Sequence, residues 1–313
     1  MRVLVWLTLL VGFALAGNWG VSAYIARDNV IDILDTRPEL EGRMGHVSGF
    51  PHAVLFTLSD LRWHVQSENL HWDLGAVDVN IPLFPRRQIH LSFPEQQIMQ
   101  MADRVFVLES DEIGADLDLG RDQMISGLRV KARQLSFDPA TVVQSAEALI
   151  VQMDDLGDYT YRIQGMVEGV RLASDILHLE ELAGADPLTL SIDANLTFVS
   201  SMAMDQTLPQ LHEIEISAID LDGLPATMAL EGAVVRNSAG LFDGRLNLTA
   251  SDWQTPLEAL IQNGVIAPEL RTMIAALLGS QSDPATGRLD LPLSVADSAI
   301  RLGPFVIATL PRW

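Results

Sequence analysis

Cysteine is absent from the 313 residues of this chain, and cationic residues are scarce. Without thiols the protein has no disulfide framework, no thiolate nucleophile and no thiolate metal ligand. Lys and Arg total 20 against 41 Asp and Glu, and Lys131 is the only lysine. Because nucleic-acid binding needs clustered cations, a net charge of −21 argues against that class of function.

The common catalytic motifs are missing as well. The sequence contains no Gly-rich phosphate loop, no G-x-G-x-x-G, no G-x-S-x-G and no H-E-x-x-H. The seven His are scattered, and those beside carboxylates, His178 and His212, lack a further ligand at the spacing that a metal site requires. The sequence therefore predicts a protein that is not an enzyme and that has no catalytic, cofactor-binding or metal-binding residues.

The first segment of the chain carries no charge from Val3 to Ala26. This run exceeds the roughly 20 residues that a helix needs to cross a bilayer, and aromatic residues near its ends are typical of membrane interfaces. We predict a membrane anchor helix over residues 1–35, with the anchor positions Val3, Trp6, Leu10, Phe13, Trp19 and Tyr24.

A signal peptide is the alternative for the same segment, because Ala14-Leu15-Ala16 has the small-x-small pattern of a cleavage site. Both interpretations export the remainder of the chain. We expect a single-pass protein of the inner membrane with its bulk in the periplasm, or a periplasmic protein if the segment is cleaved.

Beyond Gly49 the dominant hydrophobic period is two residues. In Leu188–Phe198 apolar and polar residues alternate without interruption, which predicts a strand with one dry and one solvated face. Strands of parallel α/β sheets are apolar on both faces, so this alternation favours an antiparallel sheet over a doubly wound fold. Turn signals such as Asp222-Gly223 and Asp243-Gly244 separate the runs and indicate a meander.

Helical periodicity returns near the C-terminus, where Thr255-Pro256-Leu257-Glu258 opens one helix and a second apolar stripe ends at Gly279. We therefore predict a mainly β fold with minor α. It combines a long twisted antiparallel sheet, shaped as a groove or half-barrel, with a helical hairpin at 255–279 and an N-terminal transmembrane helix. The β-rich domain is expected over residues 36–313.

Several short motifs resemble a bacterial family catalogued as a domain of unknown function, number 2125. They are His46-Val47-Ser48-Gly49-Phe50-Pro51-His52, Phe93-Pro94-Glu95-Gln96, and the closing segments Asp290-Leu291-Pro292-Leu293 and Arg301-Leu302-Gly303-Pro304. This resemblance implies an exported, membrane-anchored protein of alphaproteobacterial type and supplies no catalytic residues. The strand pattern is also similar in style to AsmA-like periplasmic proteins, which implies an apolar groove associated with lipid movement.

The pattern supports two hypotheses of function. In the first, the sheet leaves an apolar groove that binds or carries a lipid or another hydrophobic ligand. In the second, the protein is a structural or assembly factor of the envelope, which binds another protein through its sheet edge or acidic face. The expected partners are thus the inner membrane, a lipid or an envelope protein, and not nucleic acid.

Overall fold

Antiparallel strands make up most of the described chain, which in this computed structural model comprises residues 2–65, 70–84, 87–101, 104–121, 124–139, 143–172, 187–203, 209–223, 227–262, 271–303 and 305–310. The contacts divide the chain into two compact units, Met1–Pro139 and Ala140–Trp313. The first unit contains α1 (Arg2–Thr36), β1 (Leu40–Met44), β2 (Ala53–Val65), β3 (Leu70–Pro82), β4 (Gln88–Phe93), β5 (Gln96–Met101), β6 (Arg104–Glu109), β7 (Glu112–Leu119) and β8 (Ile125–Asp138).

The second unit contains β9 (Val143–Gly157), β10 (Thr160–Leu172), β11 (Leu188–Phe198), β12 (Leu211–Asp222), β13 (Met228–Arg236), β14 (Phe242–Ala250), α2 (Gln254–Gln262), α3 (Arg271–Ser280), β15 (Leu289–Ala296), β16 (Ala299–Leu302) and β17 (Phe305–Thr309). The prediction of a mainly β protein with a large antiparallel sheet and few helices is therefore confirmed.

In the first unit the strands form an antiparallel meander. Strand β2 pairs with β1 on one side and with β3 on the other. Strands β4 and β5 lie end to end along β3, and β6 and β7 lie end to end along β8. Because β4 pairs with β7 and β5 with β6, each end-to-end pair acts as one long strand interrupted by a kink.

Helix α1 lies along the apolar face of this sheet. Ala23 is buried against a cluster that includes Val54 and Phe56, and half-buried Trp19 and Val30 pack on the same cluster. The Trp19 indole N–H donates to the carbonyl of Ala53 at 2.8 Å. The contacting residues recur every three or four positions, the spacing of one face of an α-helix. The second half of α1 is therefore part of the core of the first unit.

The predicted transmembrane helix is not supported. The helix is present and ends before Arg37-Pro38, but no helix in the described part of the chain is long and apolar enough to span a membrane. Trp19, expected at a membrane interface, is held against the sheet instead, while Tyr24 is 68% exposed. The side chains of Val3, Trp6, Leu10 and Phe13 lie outside the described residues.

In the second unit each strand from β9 to β17 pairs antiparallel with the next strand along the chain. The predicted meander is thus present in its simplest form. Strand β11 has the bounds that alternation predicted, Leu188–Phe198. Strands β16 and β17 are separate, because Gly303 adopts a φ of 56° and turns the chain between them.

Helices α2 and α3 correspond to the predicted hairpin and cover one end of the sheet. Leu257 and Ile261 of α2 are buried in a cluster with Leu289 and Leu291 of β15, and Ile274 of α3 packs against it from outside. Each helix buries one stripe, as expected for short amphipathic helices on a sheet. Residues 263–270, where the predicted second helix begins, lie outside the described residues.

Replacing Trp19 with Ala is expected to lower the free energy of unfolding by about 2–4 kcal/mol, because the substitution removes a packed indole and a hydrogen bond. Urea denaturation followed by circular dichroism measures the change. Tyr24→Ala, on the exposed side of the same helix, is the control and should stay within about 0.5 kcal/mol. Equal losses in both variants would contradict the docking of α1 through Trp19.

Candidate functional site

The sheet of the second unit has one apolar and one polar face. Residues in register across antiparallel strands point to the same side, so the ladder shows which side chains share a face. Leu190, Ile192 and Ala194 of β11 stand opposite Leu221, Ile219 and Ile216 of β12. We call the central part of this side the apolar face, formed by Ile163, Val167, Leu190, Ile192, Ile214, Ile216, Ile219, Leu221 and Leu230.

One end of the apolar face is closed by α2 and α3. Their cluster buries Ala250, Trp253 and Leu289, and half-buried Met228 and Leu248 pack against it. These residues stand at the matching ends of β13, β14 and β15, since Ala250 is in register with both Met228 and Leu289. The helices thus cover the sheet at this end.

Aromatic side chains close the opposite end. Tyr161 and Phe242 are each 1% exposed, and the Tyr161 ring meets that of Phe198 edge-on, with centroids 5.9 Å apart. The Tyr161 hydroxyl accepts a hydrogen bond at 3.1 Å from the backbone N–H of Met202, which is also buried. This bond fixes the segment after β11 over the ends of β10 and β11.

Between the two closed ends the aliphatic residues of the apolar face are only partly covered. Ile192, Ile216, Ile219 and Leu230 are half-buried, and Leu190 is 38% exposed. Core positions of one sheet are normally buried by a second layer. The middle of the apolar face is therefore a partly exposed surface of branched aliphatic side chains on β11 to β13, whereas Leu246 and Leu293 on the same side of β14 and β15 are buried.

Register shifts and small residues shape this surface. The pairing of β12 shifts against β11 after Asp193 and against β13 between Ile216 and Ile219, and such bulges bend a sheet and increase its twist. Gly232 has a φ of 133°, and a Cβ there would lie 2.4 Å from the carbonyl oxygen of Arg245. A side chain at Gly232 would displace β14, so this position on the face requires glycine.

Comparison with known protein families matches the part of the chain that contains the strands. A family model described as "Uncharacterized protein conserved in bacteria (DUF2125)" matches residues 40–311. The chain belongs to this family. The match begins at β1, so α1 lies outside it.

The family description names no activity. No curated protein and no solved structure matches the chain. The family match therefore confirms the resemblance that the short motifs indicated. The family description names no ligand.

The polar face of the same sheet is organised by cross-strand pairs. Arg162 of β10 donates from Nε to Oδ1 of Asp193 at 3.0 Å and from Nη2 to Oδ2 at 2.5 Å. This guanidinium holds the pKa of the Asp193 carboxyl below its ordinary value, with a further hydrogen bond from Gln164. Asn195 similarly donates to Glu215 at 3.1 Å. The carboxylates of Asp193 and Glu215 thus accept hydrogen bonds from neighbouring strands of the sheet.

The described histidines are spread over both units. No group of three or more His, Asp or Glu with metal-binding geometry occurs among the described residues. His212 lies exposed on β12, and His178 falls outside the described part. His90 pairs with Asp116 at 2.6 Å on a solvated face of the first unit.

Two features of the structure were missed by the sequence reasoning. The Tyr161–Met202 hydrogen bond joins residues far apart in sequence, and nothing in the pattern around Tyr161 indicates it. The pair His64 and His71 is the other, and its facing follows from the register of β2 with β3.

Replacing Asp193 with Asn should reduce stability slightly at neutral pH, because an exposed ion pair contributes little. The pKa of Asp193 is lowered in the folded state, so its stabilisation is present above the ordinary carboxyl pKa and disappears as pH falls through the lowered value. Urea denaturation of both proteins between neutral and acidic pH tests this. A difference that grows on acidification would contradict the assignment.

Tyr161→Phe should destabilise the protein by about 1–3 kcal/mol, because it leaves the buried N–H of Met202 without an acceptor. Thermal or urea unfolding measures this loss. Tyr159→Phe is the matched control, since Tyr159 lies two residues away and is 49% exposed, and it should have little effect. If the two variants unfold alike, Tyr161 does not fix this end of the sheet.

Proposed function

We propose that the second unit binds the acyl chains of a lipid on its apolar face, without catalysing a reaction. One observation carries this proposal: a row of half-buried aliphatic residues lies between two ends closed by α2 and α3 and by Tyr161, Phe198 and Phe242. Burying apolar surface stabilises a complex by about 25 cal/mol per Å². An acyl chain that covers this face gains that energy.

The chemistry of the face favours an acyl chain over a peptide. Its central residues are Ile, Leu and Val, which offer no donor or acceptor. A peptide laid on this surface would bring backbone N–H and C=O groups that need partners, whereas an acyl chain has none. The bulges at Asp193 and Ile216 give the face a bend to which a flexible chain can adapt.

We further propose that the protein acts in the periplasm after export. The uncharged segment Val3–Ala26 supports export, and the acidic remainder of the chain is compatible with translocation. The lipid would then come from the cell envelope. Edman sequencing and membrane fractionation of the native protein test this placement.

An envelope assembly factor is the second candidate, and strand β17 favours it. Val306 and Ile307 are 53% and 54% exposed, and consecutive residues of a strand point to opposite sides. The strand thus presents apolar side chains on both of its sides. Such a strand can pair with an extended segment of a partner protein.

Binding of cis-parinaric acid, a fluorescent long-chain fatty acid, tests the lipid proposal. Leu230→Asp places a carboxylate in the apolar face and should weaken binding at least about tenfold. Ala233→Asp is the matched control, because it adds the same carboxylate to the same strand on the polar face, in register with Arg245. The control should bind like the native protein.

Ile216→Thr keeps the branched Cβ and serves if Leu230→Asp fails to fold, as judged by circular dichroism. It should weaken binding by a smaller factor, because the ethyl arm of the side chain is replaced by a hydroxyl and no charge is introduced. Equal affinities in the native protein and in both apolar-face variants would overturn the proposal. Complete absence of binding by the native protein would favour the assembly candidate.

A further inference from the structure

Two imidazole rings face each other across the first long hairpin of the protein. His64 of β2 and His71 of β3 are directly opposite in the antiparallel ladder. Their ring centroids are 4.6 Å apart with an interplanar angle of 80°. The two Nδ1 atoms lie within hydrogen-bonding distance of each other on the solvent-exposed side of the hairpin. This arrangement brings two good metal-ligand atoms to one point.

The neighbouring residue pairs of β2 and β3 pack beside His64 and His71. Trp63 and Trp72 form the preceding rung on the other side of the hairpin, with ring centroids 6.2 Å apart. On the same side as the imidazoles, Arg62 Nε lies 3.6 Å from Asp73 Oδ2. Asp73 Oδ1 also accepts the backbone N–H of Gly75 at 3.1 Å. The carboxylate is thus engaged with neighbours and is not counted as a ligand.

We propose that His64 and His71 chelate a late first-row divalent cation, Cu²⁺ in preference to Ni²⁺ or Zn²⁺. Metal–imidazole bonds of about 2.0–2.1 Å place two neighbouring ligand nitrogens roughly 3 Å apart, so a small rotation of the rings admits the ion. Both Nδ1 atoms then donate lone pairs, and the ring protons reside on Nε2. Water completes the coordination, and imidazole nitrogen follows the order that places Cu²⁺ first.

This site lies within the first unit and is independent of the proposed lipid binding by the second unit. The hairpin supplies two ligands, so the bound ion keeps exchangeable positions. Such a site fits reversible capture of a metal ion better than a permanent structural role. The class of ligand is therefore a free or weakly complexed divalent cation.

Titration of the full-length protein with Cu²⁺, followed by calorimetry and electron paramagnetic resonance, tests the proposal. We expect one copper ion per chain at the strongest site, with nitrogen ligands visible in the spectrum. Loss of a residue that merely supports a metal ligand already costs about 10- to 100-fold in metal affinity, so His64→Ala or His71→Ala should weaken binding at least about tenfold. His71 is exposed and His64 is half-buried, and neither belongs to a buried core, so the variants should fold.

His90→Ala is the matched control, because it removes a histidine from the same unit that pairs with Asp116 rather than with another imidazole. It should leave the strongest site unchanged. Equal Cu²⁺ affinity in the native protein and in both hairpin variants would overturn the proposal. A copper spectrum without nitrogen ligands in the native protein would overturn it as well.

Discussion

A sheet with one apolar side has to shield that side from water, and this requirement organises the whole described structure. Alternation of apolar and polar residues creates the requirement in both units. The first unit meets it with α1, whose residues Trp19 to Leu34 pack along the sheet. In the second unit α2 and α3 and the aromatic residues around Tyr161 cover the two ends, and the branched residues of β11 and β12 between them are only half-buried.

The two units differ in how completely the apolar side of the sheet is covered. A continuous helix buries Val54 completely and Phe56 almost completely in the first unit. In the second unit the corresponding aliphatic residues, such as Ile192 and Ile219, remain half-buried. An apolar surface of this kind in a folded protein points to a ligand or partner. The closed ends confine the exposed part of this surface to the middle of the strands.

Local alternation was enough to predict the strands, their antiparallel pairing and the bounds of β11, because side chains on a strand repeat every two residues. Helical periodicity was likewise enough to place two helices near 255–279. It was not enough to distinguish an anchor from a docked helix, because Trp19 and Ala23 are as apolar in either setting. The indole bond to Ala53, 34 residues away, and the burial of Ala23 show that this helix packs on the sheet.

The candidate site was predictable in kind but not in detail. A long amphipathic strand implied an incompletely covered apolar face, since two short helices cannot cover it. The register shifts at Ile216 and the closure by Tyr161 and Met202 depend on tertiary contacts, which no local pattern encodes. The facing of His64 and His71 required the exact hairpin register, because a slip by one residue would place them on opposite sides.

Sequential pairing of strands in the second unit has a consequence for how such a protein changes over evolution. Since each strand from β9 to β17 bonds to its chain neighbours, the unit resembles a one-dimensional array of hairpins. Adding or losing a hairpin within β10–β13 would widen or narrow the array by two strands and preserve the alternation of faces. The width of the apolar face can therefore be altered by the number of hairpins.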